Sequence, residues 1–163
     1  MTNLATNLLN TASKQPDATM IAMGGKHLPY GMMYQAAAKL AGDLRASGIE
    51  PGDRVALILP NVPAFPVTFF ATLMAGGIVV PMNPLLKAGE IDFFFTNSGA
   101  KIAFVWPDFV EEVTKGAANS GPQVIPCDPM GPLAGHLASG EPITEPIERA
   151  DDDTAIILYT SGT

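Results

Sequence analysis

The chain has 163 residues, of which 47% are hydrophobic and 15% are charged, so its composition is that of a folded domain with a sizeable core. Its formal net charge is -7, and its nine Lys and Arg residues are spread along the chain. This excludes the clustered basic surface that nucleic acids or anionic lipids require.

The sequence also restricts the compartment and the membrane relationship. Cys127 is the only cysteine, which excludes an intramolecular disulfide and a cysteine-rich zinc site and predicts a cytoplasmic location. No charged residue lies between Arg54 and Lys87, a stretch longer than the roughly 20 residues that cross a bilayer. Prolines and a glycine pair divide this stretch, so we favour a buried strand, helix and strand over a transmembrane segment.

In the first part of the chain the apolar spacing predicts two helices, with a strand and a turn between them. The predicted elements are an amphipathic helix over 2–13, a strand over 18–23, a turn at Gly24 and Gly25 leading to 27–30, and a helix from Met33 to Gly48. The second helix should bury one face, formed by Ala36, Ala37, Leu40, Ala41 and Leu44.

Buried strands then alternate with helices. The predicted strands cover 55–59, 78–80, 101–106 and 123–126, and the predicted helices cover 64–75, 90–98 and 108–115, the last capped by Asp108. This alternation predicts an α/β fold, with a parallel sheet of βαβ units and helices on both faces.

We expect three regions in one N-terminal α/β subdomain. Residues 1–120 form the βαβ core, 121–150 form an irregular arm rich in Pro and Gly, and 151–163 form a strand that leads into a turn. That turn is formed by Thr160, Ser161, Gly162 and Thr163. Hydroxyl groups around a glycine can bind a phosphate, but the four residues alone are more typical of an ordinary strand end.

Five separated motifs resemble the adenylate-forming, or AMP-binding, superfamily. They are PGDRVALILPN at 51–61, NSGAK at 97–101, HLPYGMMYQAAAKL at 27–40, LMAGGIVVPMNP at 73–84 and DDTAIILYTSGT at 152–163. Their order and spacing match this superfamily over nearly the whole chain. The stretch NPLLKAGE at 83–90 is most similar to long-chain fatty-acid–CoA ligases.

The resemblance implies a ligase that joins a carboxylic acid to coenzyme A in two steps. ATP and the acid give an acyl-adenylate and pyrophosphate, and CoA then captures the adenylate as a thioester. ATP with Mg²⁺ and the co-substrate CoA are therefore implied for the full-length parent, whose ATP-binding loop would begin at Thr160, Ser161, Gly162 and Thr163. The family's catalytic residues and metal ligands would follow residue 163. We therefore predict no catalytic residue or metal ligand in residues 1–163, and an inactive fragment without bound cofactor.

A free-standing doubly wound module that binds a nucleotide or flavin, without ligase activity, is the alternative. It would use loops at strand ends such as 60–63 or 83–86. The chain contains neither the GxGxxG turn nor the GxxxxGK[ST] loop, and this favours the ligase.

The remaining polar candidates have simpler explanations. Asp151, Asp152 and Asp153 could bind a metal, but three consecutive side chains do not face one ion, so a solvated entry to the following strand is favoured. His27 and His136 are expected to be structural or surface residues, and Asn61 and Asn83 to be turn residues rather than ligand contacts.

Three further expectations concern packing. Arg54 should be a paired surface or interface charge. An aromatic group formed by Phe65, Phe69, Phe70, Phe93, Phe94 and Phe95 could line a lipid groove, but its helical spacing favours core packing. An apolar face left uncovered in the fragment should favour self-association.

Overall fold

The structure is a computed structural model and describes residues 3–119, 121–127 and 137–160. Its strands are β1 Thr19–Met23, β2 Lys26–Pro29, β3 Arg54–Ile58, β4 Ile78–Pro81, β5 Ala100–Val105 and β6 Gln123–Pro126. Its α-helices are α1 Thr6–Lys14, α2 Tyr30–Ala46, α3 Ala64–Met74, α4 Ala88–Ser98 and α5 Val110–Gly116, with a 3₁₀ turn at Pro107–Phe109. No helix in the described ranges is long and apolar enough to span a bilayer.

The main sheet has four parallel strands in the order β4-β3-β5-β6. Helix α3 connects β3 to β4, α4 crosses back to β5 on the other side of β3, and α5 connects β5 to β6. β1 and β2 form a separate antiparallel pair, closed by Gly24 and Gly25 at φ 56° and 75°. The predicted α/β fold with a parallel sheet is confirmed.

Helices cover both faces of the sheet, as predicted. Val55 and Leu57 of β3 point into a core shared with α1, α2 and α3. Ala56 and Ile58 point into a second core with α4 and α5. Because successive strand residues alternate between faces, a strand buried on both sides needs the continuous apolar run seen in β3.

Several local predictions require correction. Ala36 is exposed, and Ala38 is buried in its place, because α3 and residues 137–150 cover a different strip of α2 from the one predicted. Asp108 does not cap a helix: it lies in the 3₁₀ turn, and the residue before α5 is Phe109, with no side-chain cap.

Residues 137–150, here called the strap, run across α2 and α3 without forming a helix or strand. Their backbone N–H groups donate to the helices at Ile143, bonded to Ala38 O at 3.0 Å, and at Ile147, bonded to Met74 O at 2.9 Å. The Tyr34 hydroxyl donates to Thr144 O at 2.6 Å. The strap therefore has no regular secondary structure, and hydrogen bonds fix it to the helices.

Candidate functional site

The candidate site lies where residues 155–160 run beside β4. Val79 N–H donates to Ala155 O at 2.9 Å, and Ile157 N–H donates to Val79 O at 2.9 Å. The predicted strand is reduced to this single parallel bridge, between Val79 and Ile156. Because the bridge is parallel, the segment advances toward the carboxyl end of β4, where open α/β sheets place their ligands.

Tyr159 attaches this segment to α4. Its hydroxyl donates to Asn97 Oδ1 at 2.7 Å. Its ring lies over Phe94, with the ring centroids 4.4 Å apart and the planes tilted by 33°. This contact could not be predicted from the sequence, because Tyr159 is about 60 residues away from both Phe94 and Asn97.

A cleft of about 330 Å³ opens at this end of β4. It is lined by Pro81, Met82, Asn83, Leu86, Glu90, Phe94, Tyr159 and Thr160. Asn83 Oδ1 accepts from Leu85 N–H at 3.0 Å, and Glu90 Oε2 accepts from Lys87 N–H at 3.0 Å. Asn83 therefore shapes the turn after β4, as the turn interpretation predicts, while also lying at the edge of the cleft.

Of the four predicted phosphate-binding residues, the structure places one. Thr160 is exposed and contributes to the lining of the cleft. Ser161, Gly162 and Thr163 lie outside the described residues, as does His136. Their role in binding ATP therefore remains a prediction.

The acidic run has a structural explanation. Asp151, Asp152 and Asp153 are exposed. Asp153 Oδ2 pairs with Arg149 Nε at 3.0 Å and accepts from Ala150 N–H at 2.8 Å, which closes a turn. Across residues 3–119, 121–127 and 137–160, no group of three or more His, Cys, Asp or Glu side chains could hold a metal ion.

The aromatic residues do not form one group. Phe65, Phe69 and Phe70 of α3 pack against the first core, whereas Phe94 and Phe95 of α4 pack against the second, on the opposite face of the sheet. Phe93 is 60% exposed. The two sets are separated because α3 and α4 follow consecutive strands and cover opposite faces, so no single groove joins them.

Arg54 is not primarily a paired surface charge. Its guanidinium donates to the carbonyl oxygens of Ser98 at 2.7 Å, Gly99 at 3.1 Å and Gly52 at 3.1 Å. The carbonyl groups at the end of a helix lack intrahelical partners, so Arg54 satisfies the end of α4 and ties it to the start of β3.

Asp53 lies at the opposite, amino-terminal end of the sheet, directly before β3, and Cys127 is buried directly after β6. Burial acts to raise the pKa of Asp53, but the Lys101 ammonium at 2.7 Å, the Glu50 N–H and the Arg54 charge leave it below its usual value. Burial raises the pKa of Cys127 to about 12, so this thiol is protonated at neutral pH.

Two other residues that the sequence singled out lie at the surface. His27 is exposed on β2, with Nδ1 3.4 Å from Thr19 Oγ1, and Asn61 is exposed in a bend.

The chain resembles a coherent set of known proteins. Feruloyl-CoA synthase of an Amycolatopsis species is 38% identical over 151 residues, which are 93% of this chain and 29% of that protein. Long-chain-fatty-acid–CoA ligase FadD13 of Mycobacterium tuberculosis is 33% identical over 138 residues, 83% of this chain and 27% of that protein. The chain thus spans less than a third of the length of these two relatives.

Solved structures show the same fold. A benzoate CoA ligase from Burkholderia xenovorans superimposes with a TM-score of 0.86 at 27% identity, over 98% of this chain and 33% of that one. The N-terminal domain of FACL13 from M. tuberculosis superimposes with a TM-score of 0.84 at 28% identity, over 99% of this chain and 42% of that one. Residues 8–163 match the AMP-binding enzyme family. The chain therefore belongs to the AMP-binding enzyme family and has the fold of the N-terminal part of its acyl-CoA ligases.

Proposed function

We propose that the whole protein is an ATP-dependent acyl-CoA ligase. The carboxylate of the substrate would attack ATP to give an acyl-adenylate and release pyrophosphate, and the CoA thiol would then displace AMP to form the thioester. The match of residues 8–163 to the AMP-binding family, whose members use ATP and CoA, carries this proposal. It also favours the ligase over a free-standing nucleotide- or flavin-binding module.

Within this reaction we assign the ATP phosphates to Thr160, Ser161, Gly162 and Thr163. Hydroxyl and backbone N–H donors can balance phosphate charge as a carboxylate approaches it. The position of Thr160 at the edge of the β4 cleft supports the assignment. Among the described residues no group of three or more His, Cys, Asp or Glu side chains could hold a metal ion, so we assign none of them to the Mg²⁺ that accompanies ATP.

For the acid we propose a fatty acid, because the 83–90 stretch resembles fatty-acyl ligases and FadD13 is a relative. An aromatic acid is the competing substrate, since the feruloyl-CoA synthase is more similar, at 38% identity against 33%. We further propose that residues 1–163 alone do not catalyse ligation, because they match less than a third of these relatives. The cytoplasmic location stays a prediction from the single cysteine.

The test is product identification with the full-length protein. Incubation with ATP, Mg²⁺, CoA and either palmitate, octanoate, ferulate or benzoate should yield an acyl-CoA, detected by mass spectrometry, with palmitate or octanoate preferred. Preference for ferulate or benzoate would overturn the fatty-acid assignment but keep the ligase. Absence of any thioester with all four acids, from a folded protein that binds ATP, would contradict the ligase itself.

A further inference from the structure

The contact between Tyr159 and α4 occurs at the one described end of the proposed ATP loop. Residues 155–157 are held to Val79 by backbone hydrogen bonds. Leu158 is 70% exposed and therefore does little to fix the segment to the rest of the protein. Tyr159 is the next residue with a firm attachment, through its ring on Phe94 and its hydroxyl on Asn97.

The helix end that holds Tyr159 is itself fixed. Phe95 and Ser98 are buried, and Ser98 Oγ donates back to Phe94 O at 2.7 Å. Arg54 joins the carbonyl oxygens of Ser98 and Gly99 to the start of β3. A chain of contacts therefore runs from the central strand of the sheet, through the last turn of α4, to the residue directly before Thr160.

We propose that Asn97 and Phe94 are positioning residues for ATP: by holding Tyr159, they fix the backbone at Thr160, the first residue that we assign to the ATP phosphates. The inference rests on the proposed role of that loop. These contacts of Tyr159, here called the anchor, require a short side chain at position 97 that accepts one hydrogen bond and a flat ring at position 94. Without them the start of the loop would sample more conformations, and ATP binding would have to order it.

The test compares four variants of the full-length protein in steady-state kinetics. Asn97→Ala and Tyr159→Phe each remove one half of the same hydrogen bond, and the double variant removes both halves. Thr96→Ala is the matched control, since Thr96 is an exposed neighbour in the same turn of α4. Circular dichroism and thermal unfolding establish that each variant is folded.

Both single variants should raise the KM for ATP by about three- to tenfold, the effect of losing one hydrogen bond that orders a binding loop. The double variant should match the single ones, because the bond can be lost only once. The KM for the acid, and both constants in Thr96→Ala, should stay within about twofold of the wild type.

An unchanged KM for ATP in both single variants would overturn the inference, and so would an equal rise in Thr96→Ala or full additivity in the double variant. Lowered thermal stability with unchanged ATP kinetics would also overturn it, by showing that the contact serves folding alone. These outcomes can be measured only if the wild-type protein is an active ligase. An inactive wild type would instead contradict the proposed ligase function.

Discussion

Replacing Gly42 with alanine should destabilise the protein, although helix propensity alone predicts the opposite. Gly42 is buried inside α2, at the point where the strap crosses it. A Cβ added there would overlap the carbonyl oxygen of Glu141, lie 2.7 Å from its carbonyl carbon and lie 3.3 Å from Pro142 N. All three are backbone atoms, so the strap must move away as a unit.

The cost can be worked from the bonds next to the crossing. Gly140 N–H donates to the buried Asp43 carboxylate at 2.8 Å, and Ile143 N–H donates to Ala38 O at 3.0 Å. Losing a charged and a neutral hydrogen bond costs about 2–4 kcal/mol together. Exchanging Gly for Ala within a helix recovers about 1 kcal/mol. The net expectation is a loss of about 1–3 kcal/mol in the free energy of unfolding.

Urea unfolding followed by Trp106 fluorescence measures this change, because Trp106 is the only tryptophan and packs against the first core. Gly89→Ala is the matched control: Gly89 lies in the first turn of α4, and no atom lies within 4 Å of an added Cβ. It should be neutral or stabilising by up to about 1 kcal/mol. Tyr34→Phe, which removes the bond to Thr144 O, should destabilise the wild type but add little to Gly42→Ala. A Gly42→Ala protein as stable as the wild type would show that the strap does not press on α2 at this position.

Three other outcomes are expected. The pKa of Asp53 is lower in the folded state than in the unfolded state, so its pairing with Lys101 stabilises the fold above about pH 4. This stabilisation is lost as the pH falls through the folded-state pKa. Asp53→Asn should therefore lower the free energy of unfolding at pH 7 by about 1 kcal/mol and make it less dependent on acid pH. A stability curve of Asp53→Asn parallel to that of the wild type below pH 5 would contradict this. Cys127 should react with a thiol reagent at pH 7 only after denaturation, and rapid labelling of the native chain would count against its burial. The 163-residue chain, with Leu85 72% and Phe93 60% exposed, should self-associate, whereas light scattering of a strict monomer at high concentration would exclude that.

The sequence predicts those parts of the fold whose signal is local. Strand β6 has the predicted bounds, and α3 differs from its prediction by one residue, because glycines and prolines mark the boundaries of each. The strap could be recognised only as irregular. Its attachment depends on close backbone approach at Gly42 and on Asp43, about 100 residues away, and no periodicity reports such contacts.

In the candidate site, too, the local motif could be predicted from the sequence and the long-range contacts could not. The residues that resemble an ATP loop could be recognised as a motif, and Thr160 lies in the cleft at the carboxyl end of β4. The anchor at Asn97 and Phe94 could not be predicted, since an exposed Asn near a helix end is ordinary without its partner. The prediction that Arg54 is a paired surface or interface charge was wrong for a similar reason. Its partners are backbone carbonyl groups at the end of α4, which a pattern of charged residues does not reveal.

We propose that this chain contributes the start of the ATP site of an acid–thiol ligase. The decisive measurement is the exchange of labelled pyrophosphate into ATP by the full-length protein, because exchange requires reversible formation of an acyl-adenylate. Exchange should depend on an added carboxylic acid and should weaken when Thr160 and Thr163 are replaced by valine. Exchange of equal rate without any acid, or exchange unaffected by both replacements, would contradict it.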